Sequence, residues 1–311
     1  MEYYMGIEGF PYSITFVTGA SRSGKSLFSR LMSSAENIEW LFEPYAVYMP
    51  AVLASIGQLD EKFAFGMMRD ACRELIHDRI LLRNANFRPG DMSSIYHCKD
   101  AQTIFKRLVD INTHEDIEKY VFQNEVSIIL DIPKDSLPLD VMKRAFPNAK
   151  FIHIVRNGFD VARATENKGW FSLEYINQRK AYGVAYRKCS CQRGKDCFVP
   201  DWLPVEKEQE FISTTNYGRG IMYWACQLQS IEDKNGCFDL EIKYEDMVSK
   251  PEMLLTHGKS LLRAKWTSKT ISVMKEFNND ECGGEKRTLS DLSEEEKKCF
   301  YKQMRRYGYE C

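Results

Sequence analysis

The sequence predicts an α/β fold, a parallel β-sheet flanked by helices, and three observations support this prediction. Strand-like apolar runs alternate with helix-like stretches, which is typical of a parallel sheet with crossover helices. The runs are rich in Val, Ile and Leu without polar alternation, as in strands covered on both faces. A glycine-rich loop lies between the first run and a helix. We expect residues 1–311 to form a single domain of this kind.

The elements follow one another in a regular order. The strand SITFVTG at 13–19 leads through GASRSGKS into the helical SLFSRLMSSA, and NIEWLF supplies a second strand. The strands VSIILDI at 126–132 and KFIHIVR at 150–156 are followed by the helical stretches PLDVMKRAF and GFDVARATE. The helical GRGIMYWACQLQSIEDK precedes the strand FDLEIKY at 238–244, and SEEEKKCFYKQMRR forms a last helix.

Two long insertions interrupt this order. Residues at about 56–115 are helical in character but rich in charged and aromatic side chains. Residues at about 166–215 are irregular and contain Trp170 and Trp202. Since insertions of this length in α/β enzymes commonly form the substrate cleft or its lid, we expect the same here.

The second insertion also contains the cysteine-rich stretch KCSCQRGKDC, with Cys189, Cys191 and Cys197. The spacing C-x-C-x5-C differs from the paired C-x-x-C hooks of zinc ribbons, and no histidine is nearby. We therefore expect reduced thiols on a surface insertion and no metal site, with a metal or redox role as the alternative.

Composition excludes several classes of protein. A formal net charge of −1 argues against a general nucleic-acid or polybasic membrane binder, so any basic patch must be local. No apolar stretch approaches the roughly 20 residues that span a bilayer. The N-terminal MEYYMGIEGFPYS lacks the features of a secretory signal. A cytoplasmic enzyme without a membrane span is the expectation.

The loop GASRSGKS at 19–26 satisfies the phosphate-binding pattern G-x-x-x-x-G-K-[ST]. Backbone N–H groups at such a strand-to-helix turn bind phosphate, and the helix dipole assists them. The strand that ends in Asp131 would suit an ATP enzyme, because Mg²⁺ needs a carboxylate there. Arg156, at the carboxyl end of the next strand, instead suits a second anion. The loop pattern alone leaves both ligands open.

Together these motifs resemble the 3′-phosphoadenosine-5′-phosphosulfate (PAPS)-dependent sulfotransferases. TGASRSGKSLF is similar to their 5′-phosphosulfate loop, and FIHIVRNGFDVARA is similar to their 3′-phosphate motif. YWACQLQSI, LEIKYEDMVSKPEMLL and GGEKRTLSDLSEEEKKCFYKQMRRYGY resemble later family segments in the same order. The resemblance implies a P-loop-containing fold of sulfotransferase type and PAPS as sulfuryl donor, with no metal required. It also implies a hydroxyl acceptor. The aromatic-rich insertions suit a sugar, a phenolic or a lipid-like acceptor about equally well, and the lack of targeting signals favours a glycan, a glycolipid or a small metabolite.

The resemblance further implies a set of site residues. Lys25 would stabilise charge on the oxygen that bridges phosphate and sulfate, and Arg156 would pair bidentately with the 3′-phosphate. The alternative for Arg156 is a structural ion pair with Asp160 or Glu166. The donor would be held by Arg22, Ser23, Gly24, Lys25, Ser26, Leu27, Arg156, Tyr244, Lys286 and Arg287. Ala164 occupies the donor-site position where the family has a phosphate-binding serine, and the adjacent Thr165 would be the replacement for that serine.

The acceptor hydroxyl requires a general base. Glu43, after the second strand, resembles the glutamate base of one branch of the family, and burial beside Phe42 and Tyr45 would raise its pKa. A structural role at a helix start is the alternative for Glu43. His97 is the second candidate base, whereas His153 is expected to be a buried strand residue.

Two other functions stay open at this point. A P-loop kinase that uses ATP–Mg²⁺ fits the loop and Asp131. A degenerate nucleotide-binding scaffold would explain Ala164, although the presence of both Lys25 and Arg156 argues against it. Lys134 in DIPK lies on the unexpected side of its proline, so the sequence assigns it no role.

Overall fold

The computed structural model describes residues 10–132, 138–179, 186–191, 197–232, 237–277 and 288–310. Five parallel strands form the central sheet, in the order β2-β3-β1-β4-β7, and two short antiparallel strands form a separate hairpin. The strands are β1 (Ser13–Thr18), β2 (Ile38–Leu41), β3 (Ser127–Asp131), β4 (Lys150–Val155), β5 (Tyr186–Lys188), β6 (Phe198–Pro200) and β7 (Leu240–Lys243). The predicted α/β class is confirmed.

Helices cover the sheet and form most of the first insertion. They are α1 (Lys25–Ser33), α2 (Tyr45–Ser55), α3 (Glu61–Ile80), α4 (Ile95–Cys98), α5 (Ala101–Asp110), α6 (His114–Asn124), α7 (Leu139–Ala145), α8 (Gly158–Asn167), α9 (Leu173–Asn177), α10 (Glu208–Ser213), α11 (Asn216–Ser230), α12 (Tyr244–Ser249), α13 (Glu252–Leu262), α14 (Ser268–Phe277) and α15 (Glu294–Arg306). Among the described helices, none has the length and apolar character needed to cross a bilayer.

Strand alternation divides the core between the two faces of the sheet. Phe16 packs in the apolar cluster on one face with Ile128, and Val17 packs in the cluster on the other face with Ile129. All four side chains are fully buried. This arrangement follows from the strand period of two residues, and it explains why these runs contain no polar alternation.

The order of the strands creates a switch point between β1 and β4. The two strands are neighbours, with Val17 beside Ile152. From β1 the chain passes through α1 to β2 on one side, whereas from β4 it passes to β7 on the other side. Ligands of open α/β sheets bind at the carboxyl ends of strands at such a point. The glycine-rich loop follows β1 and Arg156 follows β4, so both lie there.

The first insertion is anchored to β2 by a buried cluster of charges. Glu39, in the middle of β2, is 1% exposed. Its carboxylate pairs with Arg79 of α3 at 2.9 Å, Lys99 at 3.4 Å and Arg107 of α5 at 2.5 Å. These cations hold the pKa of Glu39 well below its usual range, against the opposing effect of burial. The cluster therefore fixes the insertion relative to the strand that leads to Glu43.

The second insertion is more ordered than the sequence predicts. Residues 186–200 contain the antiparallel hairpin of β5 and β6, in which Lys188 pairs with Phe198. Cys189 and Cys197 are 8% and 7% exposed, so two of the three cysteines are buried, and only Cys191 is exposed. The expectation of irregular chain was wrong because three-residue strands give no recognisable sequence pattern, whereas all three cysteines are free thiols.

Candidate active site

The loop after β1 has the backbone conformation of an anion-binding turn. Arg22 has φ +74° and Gly24 has φ +101°, both in the left-handed region. The first intrahelical hydrogen bond of α1 runs from Phe28 N–H to the Gly24 carbonyl, at 3.1 Å. The N–H groups of Lys25, Ser26 and Leu27 therefore belong to the first turn, where the helix itself supplies no acceptor. This is the backbone arrangement that binds phosphate.

Two polar side chains lie inside this loop. Lys25 is 7% exposed, and its Nζ donates to the carbonyls of Gly19 at 2.5 Å and Ala20 at 3.2 Å. Ser23 is 1% exposed, and among the described residues its Oγ has no hydrogen-bond partner. Because an unpaired buried hydroxyl is unfavourable, Ser23 fits a site that supplies an acceptor. Ser26 and Leu27 are half-buried, and Arg22 is exposed.

Arg156 faces this loop across the switch point. Its Nη1 donates to the Arg22 carbonyl at 3.2 Å, and its guanidinium lies 4.0 Å from the centre of the Tyr244 ring. The Arg156 Nε is buried without a partner among the described residues. Asp160, one of the two expected partners in the structural alternative, pairs instead with Arg163. The guanidinium is thus held in place with donor capacity left for an anion.

Tyr244 lies between Arg156 and Gly24. It is 2% exposed, and its ring packs against the loop and the guanidinium. A Cβ on Gly24 would come within 2.3 Å of its ring. The residue begins α12 and does not lie in a strand. Tyr244 thus packs against both elements, and its contact with the nucleotide stays a prediction.

The turn that carries Arg156 is fixed by contacts that the sequence analysis did not identify. Trp224 of α11 donates from Nε1 to the Arg156 carbonyl at 2.9 Å. Glu245 accepts from Asn157 N–H at 2.9 Å and from the Tyr309 hydroxyl at 2.8 Å. The segment YED and the final Gly-Tyr, quoted above only for resemblance, therefore share one hydrogen-bonded structure behind the turn.

Asp131, at the end of β3, lies beside the loop and is 1% exposed. It accepts a hydrogen bond from the Ser29 hydroxyl of α1. Burial raises the pKa of Asp131 to about 7, the Ser29 hydrogen bond and the charge of Lys25 oppose this rise, and the charge of Glu43 adds to it. The charges of Lys25 and Glu43 thus both act on Asp131.

Glu43 lies at the edge of a groove. Its φ is +42°, an uncommon backbone conformation for a residue other than glycine. It is half-buried, and its Oε2 accepts from the Tyr45 hydroxyl at 3.2 Å. Phe42 is 47% exposed and so does not provide the apolar enclosure that we predicted.

The groove beside Glu43 has a volume of about 420 Å³. Aromatic, amide and hydroxyl side chains line much of it: Trp40, Phe42, Tyr45, Asn84, Asn86 and Ser93. Asn84, Asn86 and Ser93 come from the first insertion.

The structure does not bring His97 to this site. The adjacent Cys98 accepts from the hydroxyl of Ser33, the last residue of α1, at 2.9 Å. Ser33 lies eight residues from Lys25, which corresponds to roughly 12 Å along the helix. Lys99 donates to carbonyls at the start of β2, including that of Ile38 at 2.8 Å. His97 therefore lies near the opposite end of α1, and its proposed catalytic role is not supported.

The other residues named from the sequence have different outcomes. Ala164 is half-buried on α8, whereas Thr165 is fully buried and donates to the helix carbonyls of Val161 at 3.1 Å and Ala162 at 2.9 Å. Thr165 therefore does not replace the serine. His153 is fully buried in β4, as predicted, with Nδ1 2.8 Å from Glu241. Lys134, Lys286 and Arg287 lie outside the described residues.

Comparison with models of known protein families identifies the family of this chain. The model of the sulfotransferase family matches residues 15–189, more than half of the chain. The chain belongs to the sulfotransferase family. The match includes the glycine-rich loop, Glu43, Asp131 and Arg156, whereas Trp224, Tyr244, Glu245 and Tyr309 lie beyond it.

Solved structures similar to this sulfotransferase are bacterial. The sulfotransferase domain of the Synechococcus PCC 7002 olefin synthase is 14% identical, with all of both chains covered and a TM-score of 0.47. Sulfotransferase STF9 from Mycobacterium avium is 12% identical over 98% of this chain and 79% of its own, with a TM-score of 0.48. A sulfotransferase from Alicyclobacillus acidocaldarius is 15% identical over 96% and 94%, with a TM-score of 0.42. No protein in the curated set matches significantly.

Proposed function

We propose that this sulfotransferase transfers a sulfuryl group from PAPS to a hydroxyl acceptor. The observation that carries the proposal is the meeting of two anion-binding elements at one switch point. The loop of residues 19–27 and Arg156 approach to 3.2 Å, at the Arg22 carbonyl and Nη1. PAPS carries anionic groups on both its 5′ and 3′ sides, and each of the two elements can bind one of these anions. A nucleoside triphosphate has no 3′-phosphate to engage Arg156.

The donor side of the site would use the loop for the 5′-phosphosulfate and Arg156 for the 3′-phosphate. The first-turn N–H groups and the hydroxyls of Ser23 and Ser26 would donate to the 5′-phosphate. Lys25 would move its ammonium from the loop carbonyls onto the bridging oxygen, where negative charge develops as the bond to sulfur breaks. Lys286 and Arg287 stay predictions for the closure over the 3′-phosphate.

The acceptor side would use Glu43 as the general base. The acceptor oxygen forms a bond to sulfur while the bond from sulfur to the bridging oxygen breaks, and the acceptor proton passes to Glu43. The products are a sulfate ester and adenosine 3′,5′-bisphosphate, and Glu43 then returns its proton to water. The strained backbone of Glu43, φ +42°, supports a functional role because such conformations concentrate at active sites.

The groove beside Glu43 suits a hydroxyl-rich acceptor of small or moderate size. Its volume of about 420 Å³ is within the roughly 300–1,000 Å³ typical of ligand pockets. Aromatic faces and amide groups occur together in its lining, and they would stack on and hydrogen-bond a glycan, a glycolipid headgroup or a polar metabolite. The first insertion would thus form one wall of the acceptor cleft.

The direct test is transfer of labelled sulfate from PAPS to a panel of sugars, glycolipids and phenols. In parallel, Tm is measured with adenosine 3′,5′-bisphosphate and with ATP–Mg²⁺, since a ligand of the native state raises Tm with occupancy. We expect a larger rise with the bisphosphate. A larger rise with ATP–Mg²⁺ would favour a kinase, and no rise with either ligand would favour a non-catalytic scaffold.

Arg156→Ala tests the assignment of the 3′-phosphate site. Loss of a charge-assisted pair to a dianion should weaken bisphosphate binding by roughly 2–5 kcal/mol. Arg73→Ala is the control, because Arg73 is also an arginine but its side chain is 48% exposed on α3. Calorimetry should show a much larger Kd for the first variant and an unchanged Kd for the second. Wild-type affinity in Arg156→Ala would mean that Arg156 is structural.

A further inference from the structure

A cluster of three metal-binding side chains, with a fourth beside it, lies in the second insertion, apart from the loop and Arg156. The Sγ of Cys189 is 2.8 Å from that of Cys191 and 3.4 Å from Oε2 of Glu208. These three donor atoms all lie within 4.8 Å of one another. Cys197 is the neighbour of Cys189 across the strand pair, and its thiol lies outside this group of three. Two sulfur atoms and one carboxylate oxygen are thus gathered, with a third sulfur nearby.

The hairpin of β5 and β6 brings the sulfur atoms together. Cys189 directly follows β5 and Cys197 directly precedes β6, and the Cys189 N–H donates to the Cys197 carbonyl at 2.8 Å. The pairing makes these two cysteines neighbours, although seven residues lie between them in the sequence. Cys191 adds a third sulfur from the turn.

Glu208 is held in position by its own contacts. It is 1% exposed and begins α10. Its Oε1 is paired with Arg187, and its Oε2 accepts from the N–H and the hydroxyl of Ser190, each at 2.7 Å. Metal-ligating carboxylates are typically oriented by such additional hydrogen bonds. Arg187 also offsets part of the negative charge that thiolates would bring to the cluster.

We propose that Cys189, Cys191, Cys197 and Glu208 form a structural Zn²⁺ site. Zinc binds thiolate and carboxylate in tetrahedral geometry, at about 2.3 Å to sulfur and 2.0–2.2 Å to oxygen. Ligand atoms in such a site are then about 3.5–3.8 Å apart. Cys189, Cys191 and Glu208 need only a small expansion to accept the ion, and the Cys197 thiol would complete the site by turning towards them. Three sulfur ligands exclude Mg²⁺ and Ca²⁺, which take oxygen ligands.

The metal would stabilise the insertion and would take no part in sulfuryl transfer. Cys189 and Cys197 pack in the same apolar cluster as Phe211 and Trp224. Trp224 donates to the carbonyl of Arg156. Zinc would therefore fix the hairpin on α10 and support the helix that backs the donor site, so its removal should lower Tm.

Zinc content of the full chain, purified without a polyhistidine tag under reducing conditions, tests the proposal. We expect about one zinc per chain by mass spectrometry, as for a single structural site. Cys191→Ser should lose it, and because Cys191 is exposed this variant should keep its fold. Cys299→Ser is the control, since Cys299 lies on α15, outside the cluster, and should keep the zinc. Chelation should lower the Tm of the wild type and leave that of Cys191→Ser unchanged.

Cobalt substitution gives a second readout that needs no variant. The Co²⁺-loaded protein should show thiolate-to-cobalt charge-transfer bands and the strong visible bands of a tetrahedral site. Two results would overturn the proposal. One is a wild-type chain that takes up neither metal under reducing conditions, and the other is a Cys191→Ser variant with full zinc content. A disulfide between two of the three cysteines in a chain that takes up no metal would assign the cluster to redox chemistry.

Discussion

Replacing Gly24 with alanine is expected to damage both the fold and the donor site. Gly24 has φ +101°, and an added Cβ would lie 2.3 Å from Cδ2 and 2.9 Å from Cε2 of Tyr244. The ring has little room to move, because it is 2% exposed and the Arg156 guanidinium lies 4.0 Å from its centre. The substitution therefore forces the loop, the ring or the guanidinium out of place.

The magnitude has two parts. A left-handed backbone costs a residue with a Cβ about 1–2 kcal/mol relative to glycine. Displacing a packed ring to accommodate an extra methyl group costs about 1–3 kcal/mol. Gly24→Ala should therefore lower the free energy of unfolding by about 2–5 kcal/mol. Since the displaced ring is the support of Arg156, the affinity for adenosine 3′,5′-bisphosphate should fall as well.

Gly57→Ala is the matched control. Gly57 has φ +71°, and a Cβ there would meet nothing within 4 Å, so it isolates the backbone cost. Urea unfolding of the two variants, followed by circular dichroism, gives their free energies of unfolding, and calorimetry gives their bisphosphate affinities. We expect the smaller loss and wild-type affinity for Gly57→Ala. Equal losses of stability and unchanged affinity in both variants would refute the steric argument.

The remaining predictions concern four acidic or basic side chains. Lys25→Ala should lower kcat by roughly 10²–10³-fold. Glu43→Gln should lower kcat by about 10²–10⁴-fold, leave the bisphosphate Kd unchanged and remove the acidic limb of the pH–rate profile. An active Glu43→Gln enzyme that keeps this limb would exclude Glu43 as the base. Glu39→Gln leaves buried cations uncompensated, so it should lower the free energy of unfolding, measured in urea, by about 3–5 kcal/mol. A loss below about 1 kcal/mol, as for an exposed ion pair, would contradict the buried character of the Glu39 cluster. Burial raises the pKa of Asp131 from 3.8 to about 7, so between these pH values the folded chain holds a proton that the unfolded chain has released. The free energy of unfolding should therefore fall as the pH rises from about 4 to about 7, and Asp131→Asn should flatten this slope. An unchanged slope in the variant would contradict a raised pKa at Asp131.

Much of the donor side could be predicted from the sequence because local patterns encode it. The strand β1, the glycine-rich loop and α1 are contiguous, and so are β4, Arg156 and α8. Parallel pairing then brings the two carboxyl ends together without further information. The contact between Arg156 and Tyr244 could not be predicted in the same way, since it depends on how α12 packs against the loop.

Other features depend on tertiary packing that leaves little trace in the sequence. Nothing in SSIYHCKD indicates that His97 lies at the far end of α1, because that position follows from the contacts of Cys98 and Lys99. The hairpin at the cysteines was missed because its strands have three residues each. The ion pair between Asp160 and Arg163, in contrast, could have been predicted, because residues three apart in a helix have side chains that meet.

The short strand β2 illustrates how surroundings assign different roles to two glutamates. Glu39 is buried among three cations that hold its pKa well below its usual range. A carboxylate held so strongly in its ionised form is a poor proton acceptor near neutral pH, so Glu39 serves the fold alone. Glu43 lies four residues further on, beyond the end of the strand, where it lines the open groove. Of the two, Glu43 is therefore the one we propose as general base, and the Glu39 cluster fixes the wall of the groove that would hold the acceptor.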